Sequence, residues 1–206
     1  IKAIKAKPQS IFLPRFNKGA PLRIIAIVDA SQGEECDEPL RIRDHQCVCI
    51  GMISTIDKAS DQLMPGSECM FGLLSWSSQG VSRVTHASFD FEAISAVSSL
   101  DILYNVRELH GEVTIGPCPS LREDRGLARK QWRDQLIGCE LHTDAMGLVK
   151  AVRLGVSSSL SSRRRRDVLD LREAVTTDGL VVLHIDGSTN PVDVGTKRDR
   201  TEKAQE

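Results

Sequence analysis

The sequence has no apolar run approaching the roughly 20 residues of a membrane span and no charged-then-apolar secretory leader, which points to a soluble chain. It has no CxxC pair. Its six cysteines (Cys36, Cys47, Cys49, Cys69, Cys118 and Cys139) are too sparse for a disulfide scaffold, so zinc ribbons and thioredoxin chemistry are disfavoured. A reducing intracellular compartment, cytoplasm or nucleus, fits best. Cys47 and Cys49 alternate along an apolar stretch and read as small buried hydrophobes. The chain also lacks net charge: at -1 it carries no global basic field, so affinity for nucleic acid must come from local patches. It begins at Ile1 rather than methionine, and its first 23 residues carry six Lys or Arg and no acid. Two histories fit such a start. One is a connection from a preceding polyprotein domain, the other the remainder of a basic targeting extension, which would place the chain in an organelle such as a mitochondrion.

What is present is enough for one core. A chain of 206 residues, 40% hydrophobic and 27% charged, does not require a second domain. Residues 1–21 read as a basic linker or extension, 22–198 as a domain with insertions at about 57–69 and 111–135, and 199–206 as a charged tail. Leu22 to Val28 has the length and β-branched content of a buried strand ending at Asp29. Cys47 to Ile56 and Met70 to Ser77 follow as two more strands, with no helical pattern between them, which predicts an antiparallel meander. From Ser88 the period changes. Phe89, Ala93, Ala96, Val97, Leu100, Leu103 and Tyr104 fall at helical spacing, predicting about five turns, with Thr85 or Ser88 as cap. Leu136 to Thr143 reads as a fourth strand ending at Asp144, Ala145 to Leu154 and Arg163 to Thr177 as helices stopped by Gly155 and Gly179, and Leu180 to Ile185 as a fifth strand. The order β-β-β-α-β-α-α-β-α predicts an α/β fold: a mixed five-stranded sheet, three antiparallel strands then parallel ones, flanked by helices.

Among 28 acidic residues, position singles out four. In open α/β sheets active sites gather outside strand ends, and Asp29 and Asp144 each follow an apolar strand directly. Glu92 joins them from the start of the intervening helix. Asp193 follows the Asn190-Pro191 turn at a helix start, where backbone N–H groups tolerate an anion. Carboxylates converging without Cys or His make a hard-oxygen site suited to Mg²⁺ or Mn²⁺ and poorly suited to zinc. Two such ions about 4 Å apart serve phosphodiester hydrolysis, activating water and stabilising the departing 3′ oxygen.

Four blocks make the chain resemble the ribonuclease H domain of copia-type retrotransposon Pol polyproteins over roughly residues 22 to 198. They are Ile27-Val-Asp-Ala-Ser31; Leu74-Ser-Trp-Ser-Ser78 with Arg83-Val-Thr-His-Ala-Ser-Phe-Asp-Phe-Glu-Ala93; His142-Thr-Asp-Ala-Met146; and Asn190-Pro-Val-Asp-Val-Gly-Thr-Lys197. The resemblance implies a ribonuclease H-like fold, Asp29, Glu92, Asp144 and Asp193 as catalytic and metal-binding acids, and the RNA strand of an RNA/DNA hybrid as substrate. It also implies a reverse transcriptase domain of the same polyprotein as partner. The family pattern has Ala before the second acid and Leu in the closing block, where this chain has Phe91 and Gly195; both departures spare the four acids.

Arg163, Arg164, Arg165 and Arg166 form the densest positive cluster, unfavourable at a helix N-terminus without an anion, so they are candidate phosphate contacts; the alternative is a solvated run offset by Asp167, Asp170 and Glu173. Trp76 reads as sheet core in preference to a base-stacking platform. His184 reads as a packed or edge residue, and His86, just before the Glu92 helix, is left outside the site. Two other functions compete with a ribonuclease H. One is a domesticated, catalytically silent domain serving as a structural subunit beside protein or RNA neighbours in a large assembly. The other is an integrase-type or Holliday-resolving nuclease on the same fold.

Overall fold

The computed structural model describes residue 16 and residues 22–31, 45–54, 71–80, 88–120, 126–155 and 162–193, with 162–164 as backbone only. Outside it lie the rest of the basic lead 1–21, the insertion 57–69, Thr85, His86, the side chains of Arg163 and Arg164, the closing block beyond Asp193 and the tail 199–206.

Five strands form one sheet: β1 (Leu22–Ser31), β2 (His45–Ser54), β3 (Phe71–Gly80), β4 (Gly138–Thr143) and β5 (Val181–His184), in the order β3-β2-β1-β4-β5. β1 pairs antiparallel with β2, and β2 with β3, while β1–β4 and β4–β5 are parallel. This is the mixed sheet expected of a ribonuclease H-like fold. β1 is central and buried on both faces, which is why Ile24 to Val28 reads as a continuous apolar run rather than an alternating one. Its alternate residues Ile24, Ala26 and Val28 join Val48, Ile50, Cys139, Leu141 and Val182 beneath the helices. Ile25 and Ile27 face the other way, packing with Cys47, Cys49 and Ile53 against Val192 and Ile185. Cys47 and Cys49 are therefore buried free thiols, as their alternation predicts.

The helical layer consists of α1 (Ser88–Thr114), α2 (Leu127–Arg133), α3 (Met146–Leu154) and α4 (Ser162–Thr177). Gly155 at φ +105° and Gly179 at φ +67° end α3 and α4 in backbone that only glycine adopts at little cost. No helix among the described residues is long and apolar enough to cross a membrane.

Two expectations change. β1 runs through Asp29 to Ser31 instead of ending at the acid, because Asp29, Ala30 and Ser31 still pair with Cys47, Gln46 and His45. α1 has 27 residues, well beyond five turns, so residues 111–135 are not bare surface. Its apolar stripe stops near Tyr104, but nothing breaks the helix until Gly116, at φ +125°, and its last turns are anchored at Gly111, against which Trp132 of α2 and Leu136 pack. Trp132 is buried and its indole N–H donates to Gly116 O at 3.0 Å. A Cβ at Gly111 would collide with Leu136 and stand 3.0 Å from the Trp132 ring. Gly111→Val is accordingly expected to destabilise the chain by ~1–3 kcal/mol through overpacking, read as a lower denaturant midpoint. A midpoint equal to that of the unmodified chain would show that α2 does not brace α1.

Candidate metal centre

The parallel register builds the site. Val28↔Thr143 is the last β1–β4 pair, so the next residues, Asp29 and Asp144, emerge side by side at the strand ends. Glu92 arrives from the first turns of α1, which is held over this end by buried Phe91 and Ile94 packing on Ala30. Each of Asp29, Glu92 and Asp144 offers a carboxylate oxygen, and these atoms all lie within 4.8 Å of one another. Asp29 and Glu92 are buried; Asp144 is partly open to solvent.

Such crowding has an electrostatic consequence. Burial, followed by the neighbouring charges of Asp144 and Asp29, pushes the Glu92 carboxyl up to about 8, against the opposing effects of hydrogen bonds from the Ala30 backbone and the Thr143 hydroxyl. Glu92 Oε2 is buried with no hydrogen-bond partner. An orphaned buried carboxylate oxygen facing two further carboxylates is the donor set that a hard divalent cation satisfies, so these residues fit Mg²⁺ or Mn²⁺.

Asp193 is not among the three. It stands at the start of a helical segment, its N–H bonded to Asn190 O at 3.3 Å, after a 3₁₀ turn (Gly187–Thr189). Its position follows from its neighbours: Val192 is buried on the sheet face away from α1, and Val192 N–H donates to Asn190 Oδ1 at 3.2 Å.

Three residues beside the centre were not among the site residues that the sequence singles out. The Ser95 hydroxyl donates to Asp29 O at 3.4 Å, Thr143 Oγ1 accepts from Ala145 N–H at 3.1 Å, and His184 Nε2 lies 3.1 Å from Asp144 O. Each fixes the backbone at or next to an acid. His184 is exposed at the end of β5, an edge position, and only the β4–β5 pairing Thr143↔His184 reveals that it reaches the site. A different network lies deeper on β4: fully buried Glu140 sits 3.4 Å from Arg23 and 2.9 Å from His142.

Of the arginine run, Arg165 and Arg166 are exposed in the first turns of α4. Asp167, next in the helix, is buried. Both α1 and α4 lead back to the starts of parallel strands, and Arg107 near the foot of α1 donates to Asp178 O beyond α4. Measured from that contact, Glu92 and Arg165 lie ~22 and ~20 Å along their respective helices. A cavity of about 920 Å³ lined by Tyr104, Arg107, Arg129 and Asp178 lies at the opposite end, away from the acids.

Trp76 departs from its expected core position. It is 60% exposed on β3, an edge strand.

No protein-family model matches the chain, and no curated protein does. Solved structures do. It is similar to ribonuclease H1 of the halophilic archaeon Halobacterium salinarum, at 14% identity, covering 82% of this chain and 89% of that one, with a TM-score of 0.44. It is similar to LC11-RNase H1 in complex with an RNA/DNA hybrid, at 13% identity, covering 89% and 99%, with a TM-score of 0.48. It is also similar to the protease-reverse transcriptase of prototype foamy virus, at 8% identity, covering 88% of this chain and 20% of that one, with a TM-score of 0.39.

Proposed function

We propose that this chain is a metal-dependent ribonuclease H that cleaves the RNA strand of RNA/DNA hybrids within a copia-type retrotransposon polyprotein, beside its reverse transcriptase domain. The observation that carries the reading is the convergence of Asp29, Glu92 and Asp144 within 4.8 Å, with Glu92 Oε2 buried and unpartnered. The substrate and the polyprotein context rest on the four sequence blocks.

In this reading Asp29, Glu92 and Asp144 bind the cations, and Asp193 completes the set. When bound, two Mg²⁺ ions supply Lewis-acid activation of water and charge stabilisation at the departing 3′ oxygen. The chain's own contribution is preorganisation. Adjacent strands set the Asp29–Asp144 spacing, while Ser95, Thr143 and His184 hold the backbone around the acids so that the carboxylates need not reorganise.

The test is cleavage of a labelled RNA/DNA hybrid in Mg²⁺ or Mn²⁺, with a chelated control. RNA-strand products that require the metal are expected. If nothing is cleaved in either metal, even with the chain joined to its natural neighbours, the enzyme reading fails and the silent structural subunit replaces it.

Arg165 and Arg166 are assigned to the phosphate backbone of the hybrid. Replacing both with Ala is expected to weaken hybrid binding and to flatten its dependence on salt, each lost contact reducing the log-log slope by ~0.7 to 0.9. An unchanged slope would return them to solvent.

A further inference from the structure

Among the described residues, Trp76 is the aromatic that the fold leaves most exposed. Trp132, the other tryptophan, is buried behind α1 with its N–H satisfied. Trp76 lies beside the Cys47 thiol on the neighbouring strand, where it opposes the upward push of burial on that thiol. It pairs directly with Cys49 across β2–β3, and residues directly opposed in a ladder share a face; Cys47, two positions earlier, is on that face too. Cys47 in turn pairs with Asp29 across β1–β2. A diagonal path therefore runs from the exposed indole past Cys47 to the first acid of the carboxylate cluster, because Trp76 stands two residues along the ladder, opposite Cys49, while Ser78 is opposite Cys47. With strands about 4.8 Å apart and residues about 3.4 Å apart along each, two strand steps and a two-residue offset place the Trp76 backbone ~12 Å from that of Asp29. That spans one to two nucleotides of a strand whose phosphate lies at the carboxylates.

The strand around Trp76 supports a contact surface. Ser75, Ser77, Ser78 and Gln79 flank it, and the exposed Leu74, two residues away, shares its face. An indole standing exposed on an edge strand gains little for the core. Exposing most of a tryptophan is a cost that solvent does not offset, and a nucleoside face does.

We propose that Trp76 is a stacking platform for the sugar and base of a nucleotide one or two positions from the phosphate held at Asp29, Glu92 and Asp144. The inference rests on the nuclease reading but concerns how the substrate strand is positioned. The nucleoside can belong to a hybrid duplex, met through its wide and shallow minor groove, or to an unpaired RNA strand.

The test uses the full chain carrying Asp144→Asn, which slows cleavage and removes a negative charge from the path of the strand. Intrinsic tryptophan emission and the anisotropy of labelled nucleic acid are recorded together during titration with an RNA/DNA hybrid and, separately, with single-stranded RNA of the same sequence. Stacking is expected to quench the exposed fluorophore and leave the buried Trp132 signal as background. Adding Trp76→Ala is expected to abolish the quench and weaken binding ~5- to 100-fold, with Trp76→Phe restoring most of the affinity. A quench by the hybrid identifies the duplex as the source of the nucleoside; a quench by RNA alone identifies the unpaired strand. If the hybrid binds by anisotropy with no quench, and Trp76→Ala binds equally well, the platform is overturned while the nuclease reading stands. If neither nucleic acid binds, the nuclease reading falls and the platform with it.

Discussion

Replacing Asp144 with asparagine is expected to reduce RNA-strand cleavage at least ~100-fold without harming the fold, as expected for removal of a principal electrostatic stabiliser. The substitution preserves shape and removes one negative charge from a site whose cation affinity depends on it. Asp144 follows the last β1–β4 pair directly, so its backbone is fixed by the sheet and by the His184 contact to its carbonyl, neither of which involves the carboxylate. Its side chain is partly open to solvent, so an amide there leaves no newly buried unsatisfied group. The measurement compares single-turnover cleavage of a labelled hybrid by the unmodified chain and by Asp144→Asn at saturating Mg²⁺, together with far-UV circular dichroism and thermal melting. Collapsed cleavage with an unchanged spectrum is the expected pair of results. Cleavage within tenfold of the unmodified chain would remove Asp144 from the metal centre.

How much of this was legible in the sequence depends on what kind of contact fixes each residue. Asp29 and Asp144 were readable because each follows a short β-branched apolar run, and the parallel connection that makes those runs neighbours also levels their ends. Glu92 was readable from the change of period at Ser88, since a helix starting over the strand ends presents its first turns there. Asp193 was placed correctly after a turn at a helix start, yet its relation to the other three depends on how Asp186 accepts from Ser188 N–H and how Asn190 holds Val192, details with no periodic signature. Trp76 was misplaced for a topological reason. Alternation says that it faces one side of a sheet, but only the strand order says that β3 is an edge, where that side is open. The length of α1 was missed because a helix can outrun its apolar stripe: Gly111 resembles a stop signal and serves instead as the close-approach point for Trp132 and Leu136.

The metal-free chain is expected to lose stability as pH rises from about 4.5 to about 8, and Glu92→Gln is expected to remove most of that loss. Three carboxylates lie within 4.8 Å, of which Glu92 is buried and carries an unpartnered oxygen. Burial, then the charges of Asp144 and Asp29, raises its pKa from 4.5 to about 8. An acid with a raised folded-state pKa keeps its proton in the folded state over a range in which the unfolded chain has released it. The folded state then binds more protons than the unfolded one, so its stability falls with pH across that window and levels off above about 8. Each unit of separation corresponds to ~1.4 kcal/mol, so the full swing is on the order of a few kcal/mol. For a chain of this size that is a shift of roughly 10 °C in Tm. Glutamine at 92 carries no charge at any pH, and in chelator at pH 8 it should melt well above the unmodified chain while matching it near pH 4.5. Adding Mg²⁺ at pH 8 should raise the Tm of the unmodified chain, because binding to the folded state alone stabilises it, and should do much less for Glu92→Gln. Two melting series, with chelator and with Mg²⁺, across pH 4.5 to 8.5 decide it. Parallel pH profiles for the two chains in chelator would show that Glu92 ionises without penalty and that the three carboxylates are not the crowded centre described above.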